Sequence, residues 1–136
     1  FRLGKADVLR QGNDLTVIAS GPMVTKALTV SERLKSEKKS CDVVAVSSLK
    51  PFDEATLLKS IRKTGRALTL EDHNVATGLG ALVNQMLGRN NISAVVKNMG
   101  VADYQLSGTA EALYEKAGLG LQDIEQEIQK LAASSL

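Results

Sequence analysis

The residues best suited to chemistry fall in one short stretch, Glu71-Asp72-His73-Asn74, followed closely by Gly78-Leu79-Gly80. A carboxylate beside the chain's single histidine can serve as an acid/base pair. A glycine-rich helix start can cradle a phosphate with its free backbone amides. Residues 67–70, just upstream, read as a buried strand, so the stretch is expected beyond a strand's C-terminal end, where open α/β sheets place ligands. Ser20-Gly21-Pro22 and Ser47-Ser48-Leu49-Lys50-Pro51 are expected at the same edge.

The chemical alternatives lack their other parts. A hydrolase needs a nucleophile and an oxyanion hole, and no G-x-S-x-G elbow is present. Gly78-x-Gly80 has no third glycine at the dinucleotide spacing and does not follow the first strand of the fold. No Walker A sequence occurs. One Cys and one His make a zinc site a poor fit. Cys41 reads as a small core residue at the start of a strand, and His73 as structural. Glu71, Asp72, His73, Asn74, Gly78 and Gly80 are therefore read as a polar loop and helix start that cap the helix or face a neighbouring domain or dimer partner. No residue is assigned to catalysis, cofactor or metal.

The elements that position this stretch follow from hydrophobic periodicity. Residues 5–10 alternate apolar and charged, as in a half-exposed edge strand. A Gly12-Asn13-Asp14 turn follows, which favours antiparallel pairing with the next strand. Residues 15–19 and 42–46 are near-continuous apolar runs, expected for strands covered on both faces. Pro22 fits the first position of a helix running to about residue 37, its end marked by the Lys-rich run 35–39. Asp53 is a good N-cap for a helix with the stripe Leu57, Leu58, Ile61, and Gly65 a good C-terminal cap. Residues 78–87 are the clearest helix, with Leu79, Leu82, Val83, Met86 and Leu87 on one face. Residues 92–96 are expected to form the last strand, before two helices at 109–117 and 123–131. Residues 134–136 are expected to fray. Strands alternating with helices predict a three-layer α/β/α domain with a mainly parallel sheet.

Composition narrows the function. Two Tyr, two Phe and no Trp leave few platforms for stacking single-stranded nucleic acid. A net charge of +2, from 17 basic and 15 acidic residues, gives no reason to expect a nucleic-acid partner. No apolar run approaches the ~20 residues of a membrane span. A single cysteine allows no intrachain disulfide and fits a cytoplasmic setting. The 136 residues suit one domain, and a start at Phe1 suggests a segment of a longer polypeptide or a product of processing.

Order and spacing of several motifs resemble the C-terminal domain shared by transketolases, deoxyxylulose-phosphate synthases and the β subunits of 2-oxoacid dehydrogenase E1 components. They are Gly4-Lys5-Ala6 with Asp14-Leu15-Thr16-Val17-Ile18-Ala19, Lys50-Pro51-Phe52-Asp53, Leu70-Glu71-Asp72-His73 with Gly78-Leu79-Gly80, and Ser107-Gly108-Thr109-Ala110-Glu111-Ala112-Leu113 before Ala117-Gly118-Leu119. The Glu-Asp-His sequence resembles transketolase more than the other branches, and Thr77 departs from the family's usual first glycine. The resemblance implies a five-stranded mixed sheet, first strand antiparallel and the rest parallel. It implies a parent enzyme that moves a two-carbon ketol unit between sugar phosphates with thiamine diphosphate and Mg or Ca. That cofactor is expected between pyrimidine- and pyrophosphate-binding domains of a homodimer, not in this region, whose role would be structural. An E1 β subunit or a synthase is the nearest alternative. A free-standing module for a small anionic ligand, or a small enzyme using His73 with Asp72, would be of another class. Calorimetric titration of the chain with nucleotides and sugar phosphates separates these. The structural reading expects no heat of binding, whereas stoichiometric uptake, or turnover abolished by His73→Ala, would favour the others.

Overall fold

The computed structural model describes residues 2–134. Five strands form one sheet: β1 (Ala6–Arg10), β2 (Leu15–Ala19), β3 (Cys41–Val46), β4 (Arg66–Asn74) and β5 (Val95–Val101). Their order is β1-β3-β2-β4-β5, with β1 antiparallel and the other pairs parallel. Five α-helices flank the sheet: α1 (Met23–Arg33), α2 (Glu54–Thr64), α3 (Leu79–Arg89), α4 (Ala110–Lys116) and α5 (Leu121–Ala133).

Side-chain alternation builds the three layers. Val17 and Ala19 of β2 face a core shared with α1 and α5, which includes Met23, Val30, Leu34, Ile124 and Ile128. Ile18, between them, faces the opposite core with Leu57 and Ile61 of α2 and Val83 and Met86 of α3. All five residues of β2 and all six of β3 are buried, as continuous apolar runs require. Cys41 is buried, and that burial, followed by the Asp14 carboxylate, pushes its thiol up to about 12, so it stays an inert core group. Gly65 closes α2 in the left-handed conformation, φ 68°, with its amide donating to Ile61 O at 2.7 Å.

Three expectations are corrected. The first is the pairing of β1. It lies against β3, with Ala6 opposite Val46 and Val8 opposite Val44, and not against β2. The turn residues bond elsewhere: Gly12 N donates to Asp42 Oδ1 at 2.9 Å, Asn13 N to Ser40 Oγ at 3.0 Å and Asp14 N to Ser40 O at 3.0 Å. A Cβ at Gly12 would overlap the backbone of Ser40 and Cys41, so glycine lets the chain pass over the start of β3. The second is β5, which begins at Val95 and continues through Lys97, Asn98 and Gly100. As an edge strand it needs no continuous apolar run. The third is the first helix, expected to reach residue 37, which ends as α at Arg33 and continues as a 3-10 turn, Leu34–Glu37. Of the tail residues expected to fray, Ser134 donates through N and Oγ to Leu131 O, and residues 135–136 lie outside the described residues.

Polar groups pin the sheet to α2. Thr16 Oγ1 lies 2.9 Å from both Ser60 Oγ and Thr64 Oγ1, all three residues being buried. Ser60 Oγ donates to Asp42, whose other oxygen accepts from Lys63 Nζ at 2.6 Å and from the Gly12 amide. Burial alone would raise the Asp42 carboxyl, but these three donors hold it below the usual carboxylate range. A depressed folded-state value means stabilisation that is complete above the unfolded value and lost as pH falls through the folded one. Asp42→Asn is expected to cost about 2 kcal/mol at neutral pH. The gap from the unsubstituted chain should narrow at about pH 3, and urea denaturation at both pH values checks it.

Candidate functional site

The Glu71 stretch is strand, not loop. β4 continues to Asn74, and Glu71 is buried within it at 1% exposure. Its carboxylate turns back under the start of α3. Oε2 accepts from Leu79 N at 2.6 Å and Oε1 from Gly80 N at 2.9 Å. Two of the amides that open every helix are thereby satisfied, and a negative charge sits at the positive end of the helix dipole.

The surrounding glycines make room for this carboxylate. A Cβ at Gly78 would overlap Glu71 Oε2. Gly78 has φ −94°, so it is required for space and not for backbone freedom. A Cβ at Gly80 would come within 2.8 Å of Asn98 Cγ and 2.9 Å of Thr69 Oγ1, which itself donates to Asn98 Oδ1 at 2.9 Å. At Gly100 it would meet His73 O at 2.9 Å and Glu71 Cγ at 3.1 Å.

The other residues of the stretch separate from Glu71. Asp72, His73 and Asn74 are exposed. Successive strand residues leave opposite faces, and no hydrogen bond joins Asp72 to His73 among the described residues, so the acid/base pair is not assembled. Asp72 Oδ2 instead accepts from the Tyr114 hydroxyl of α4 at 3.3 Å. Burial and the Asp72 carboxylate together push that hydroxyl above its usual range. Asn74 closes the turn into α3: its Oδ1 accepts from Ala76 N at 2.9 Å, and its carbonyl accepts from the Thr77 and Gly78 amides. The Leu79 and Gly80 amides that could cradle the diphosphate of a nucleotide or of thiamine diphosphate are already used by Glu71, so this helix start does not fit such a group. Among the described residues no group of three or more His, Cys, Asp or Glu is placed to hold a metal ion.

The sequence motifs converge in space. Gly4, at φ 73°, lies against Pro51, and the Ala6 amide donates to Asp53 Oδ2 at 3.1 Å. Asp53 also caps α2 through Thr56 N and Thr56 Oγ1, which donates to it at 2.9 Å.

The model of the family described as "Transketolase, C-terminal domain" matches residues 4–124. The chain belongs to the transketolase C-terminal domain family. It is 39% identical over 125 residues to the 6-deoxy-6-sulfo-D-fructose transketolase subunit of a Clostridium species, covering 91% of this chain and 38% of that subunit. It is 32% identical over 131 residues to 1-deoxy-D-xylulose-5-phosphate synthase of Heliobacterium modesticaldum, covering 96% of this chain and 20% of the synthase. A solved split-gene transketolase, in an inactive β4 tetramer, superposes with a TM-score of 0.91 at 38% identity, over 97% of this chain and 43% of that one. The chain thus spans less than half the length of each of these relatives.

Within this transketolase-family domain, sequence reasoning found Glu71, Gly78 and Gly80 but missed Asn98, Gly100 and Tyr114. Gly100 carried a signal, since a glycine inside a strand marks a close approach. Tyr114 carried none, because its contact with Asp72 joins positions 42 residues apart. Glu71→Ala would leave two buried amides unpaired and is expected to cost about 3 kcal/mol. Gly78→Ala should destabilise the unsubstituted chain by a comparable amount but cost much less in the Glu71→Ala background, because the carboxylate it strikes is gone. Urea denaturation of the two single variants and the double variant measures this coupling.

Proposed function

We propose that this chain is the non-catalytic assembly domain of a thiamine-diphosphate-dependent transketolase whose parent moves a two-carbon ketol unit between sugar phosphates. The observation that carries the reading is the Glu71 carboxylate on the Leu79 and Gly80 amides. The α3 start, the glycine-rich helix N-terminus at the sheet's C-terminal edge where an anion could bind, is filled by the chain itself. The cofactor and its Mg or Ca would therefore be held by the pyrimidine- and pyrophosphate-binding domains. Membership of the family and likeness to transketolase subunits favour the transketolase branch. The synthase or an E1 β subunit is the alternative within the family.

In this reading the chain is one domain of a longer or split enzyme that works as a cytoplasmic homodimer. No helix among the described residues is long and apolar enough to cross a membrane. Glu71, Gly78 and Gly80 shape the C-terminal edge of the sheet, and Asp72, His73 and Asn74 present it to the neighbouring domain or partner subunit. Tyr104 and Leu106, which are fully exposed and 74% exposed, lie in the connection after β5 and add apolar surface. The test compares the chain alone with the chain assembled with the thiamine-binding domains. Thiamine diphosphate should bind, and ketol transfer occur, only in the assembly. Amide hydrogen exchange at residues 72–74 and 102–109 should slow on assembly. Thiamine diphosphate bound by the chain alone, or unchanged exchange in an active assembly, would reject the reading.

A further inference from the structure

Asp72, Gln105, Leu113 and Tyr114 line a cavity of about 250 Å³ between the end of β4, loop 102–109 and α4. Apart from the second N–H of the Gln105 amide, the polar groups these side chains leave uncommitted are acceptors. The Tyr114 hydroxyl has committed its one proton to Asp72, leaving lone pairs only. Gln105 Nε2 donates to Asp103 O at 3.1 Å, which fixes the amide's orientation. Gln105 Oε1 is then buried with no donor among the described residues. The ammonium of Lys26 does not supply one. It lies 4.8 Å from the centroid of the Tyr114 ring and bonds Glu111 Oε1 and Leu119 O, each at 3.1 Å. No residue of α4 is fully buried, and Tyr114 packs partly buried against the α1/α5 core, so these polar contacts add to a modest apolar hold.

We propose that this cavity receives an arginine guanidinium from the remainder of the transketolase, seated within the apolar rim of Tyr104 and Leu106. The inference rests on the assembly reading above and names the chemistry of the partner at that edge. Docking removes water from Asp72, and a buried carboxylate needs a charged donor to replace it. A loop that already buries an acceptor without a donor is completed by the same incoming group. Arginine fits better than lysine. Its planar fork of five donors can meet the Asp72 carboxylate and the Gln105 carbonyl together, whereas an ammonium is a point charge. The remainder of the enzyme is the natural source, because the transketolase relatives carry most of their length outside the matched region, which is 38% of one and 43% of another.

The test uses the complete polypeptide that carries these residues, assembled with its thiamine-binding part. Asp72→Asn keeps shape and removes charge, and Gln105→Met removes the acceptor. Asp72 is exposed and Gln105 half-buried in a loop, and circular dichroism melting should show both variants folded. Each is expected to weaken assembly at least tenfold in sedimentation at low salt, and Asp72→Asn should flatten its salt dependence. Phenylglyoxal labelling should mark an arginine outside residues 1–136 that is protected in the unsubstituted assembly and reactive in the Asp72→Asn assembly. Unchanged association of both variants, or no arginine with altered protection, overturns the inference while leaving the assembly reading standing. An unsubstituted chain that fails to assemble overturns both.

Discussion

A carboxylate buried under a helix start organises the C-terminal edge of this sheet. Glu71 is a charged residue in a strand between two cores, a placement that is costly unless the charge is paired or fully hydrogen-bonded. The two amides of α3 that it accepts are themselves without partners inside the helix. Each side supplies what the other lacks. The consequence spreads outward: Gly78 and Gly100 must be small to admit the side chain, and α3 is fixed in rotation and height against β4. Asn98, Thr69 and Gly80 complete the packing at the next level down.

The opposite half of the molecule uses a second polar cluster in the same way. Asp42 gathers the Gly12 turn, Ser60 and Lys63, and the hydroxyls of Thr16 and Thr64 extend the network between β2 and α2. Asp53 ties the β1 edge to the start of α2. In both clusters one carboxylate satisfies donors from separate elements, so each fixes relative placement, which nondirectional apolar burial does less sharply.

This division of labour bears on function. An α/β sheet that leaves a helix N-terminus open has a ready anion site. Here that site is closed by the strand beside it, and the residues left facing outward are Asp72, His73 and Asn74. Beyond them stand the exposed Tyr104 and Leu106. A surface with a filled cradle and an apolar, acceptor-rich rim suits contact with other protein better than the holding of a small anion. In the proposed assembly, chemistry belongs to the cofactor and its own domains, while this region contributes fixed geometry.

The amino-acid sequence determined the layers. Continuous apolar runs at 15–19 and 42–46, the helical stripe at 79–87, the cap at Asp53 and the terminator at Gly65 are local signals, each governed by periodicity or backbone preference a few residues wide. It also marked Glu71, Gly78 and Gly80 as a group and carried the family motifs. What it could not determine were contacts between distant positions. The Gly12 turn looked like a hairpin until Asp42 and Ser40, about 30 residues on, took its amides and sent β1 to the far side of β3. β4 looked finished at Leu70 because Glu71 reads as solvent-seeking, and only the helix amides eight and nine residues later make its burial tolerable. β5 was displaced because an edge strand can carry Lys97 and Asn98 without an apolar signature. Local preferences thus set the elements, and the pairing of buried charges with donors from elsewhere in the chain decided how they were joined.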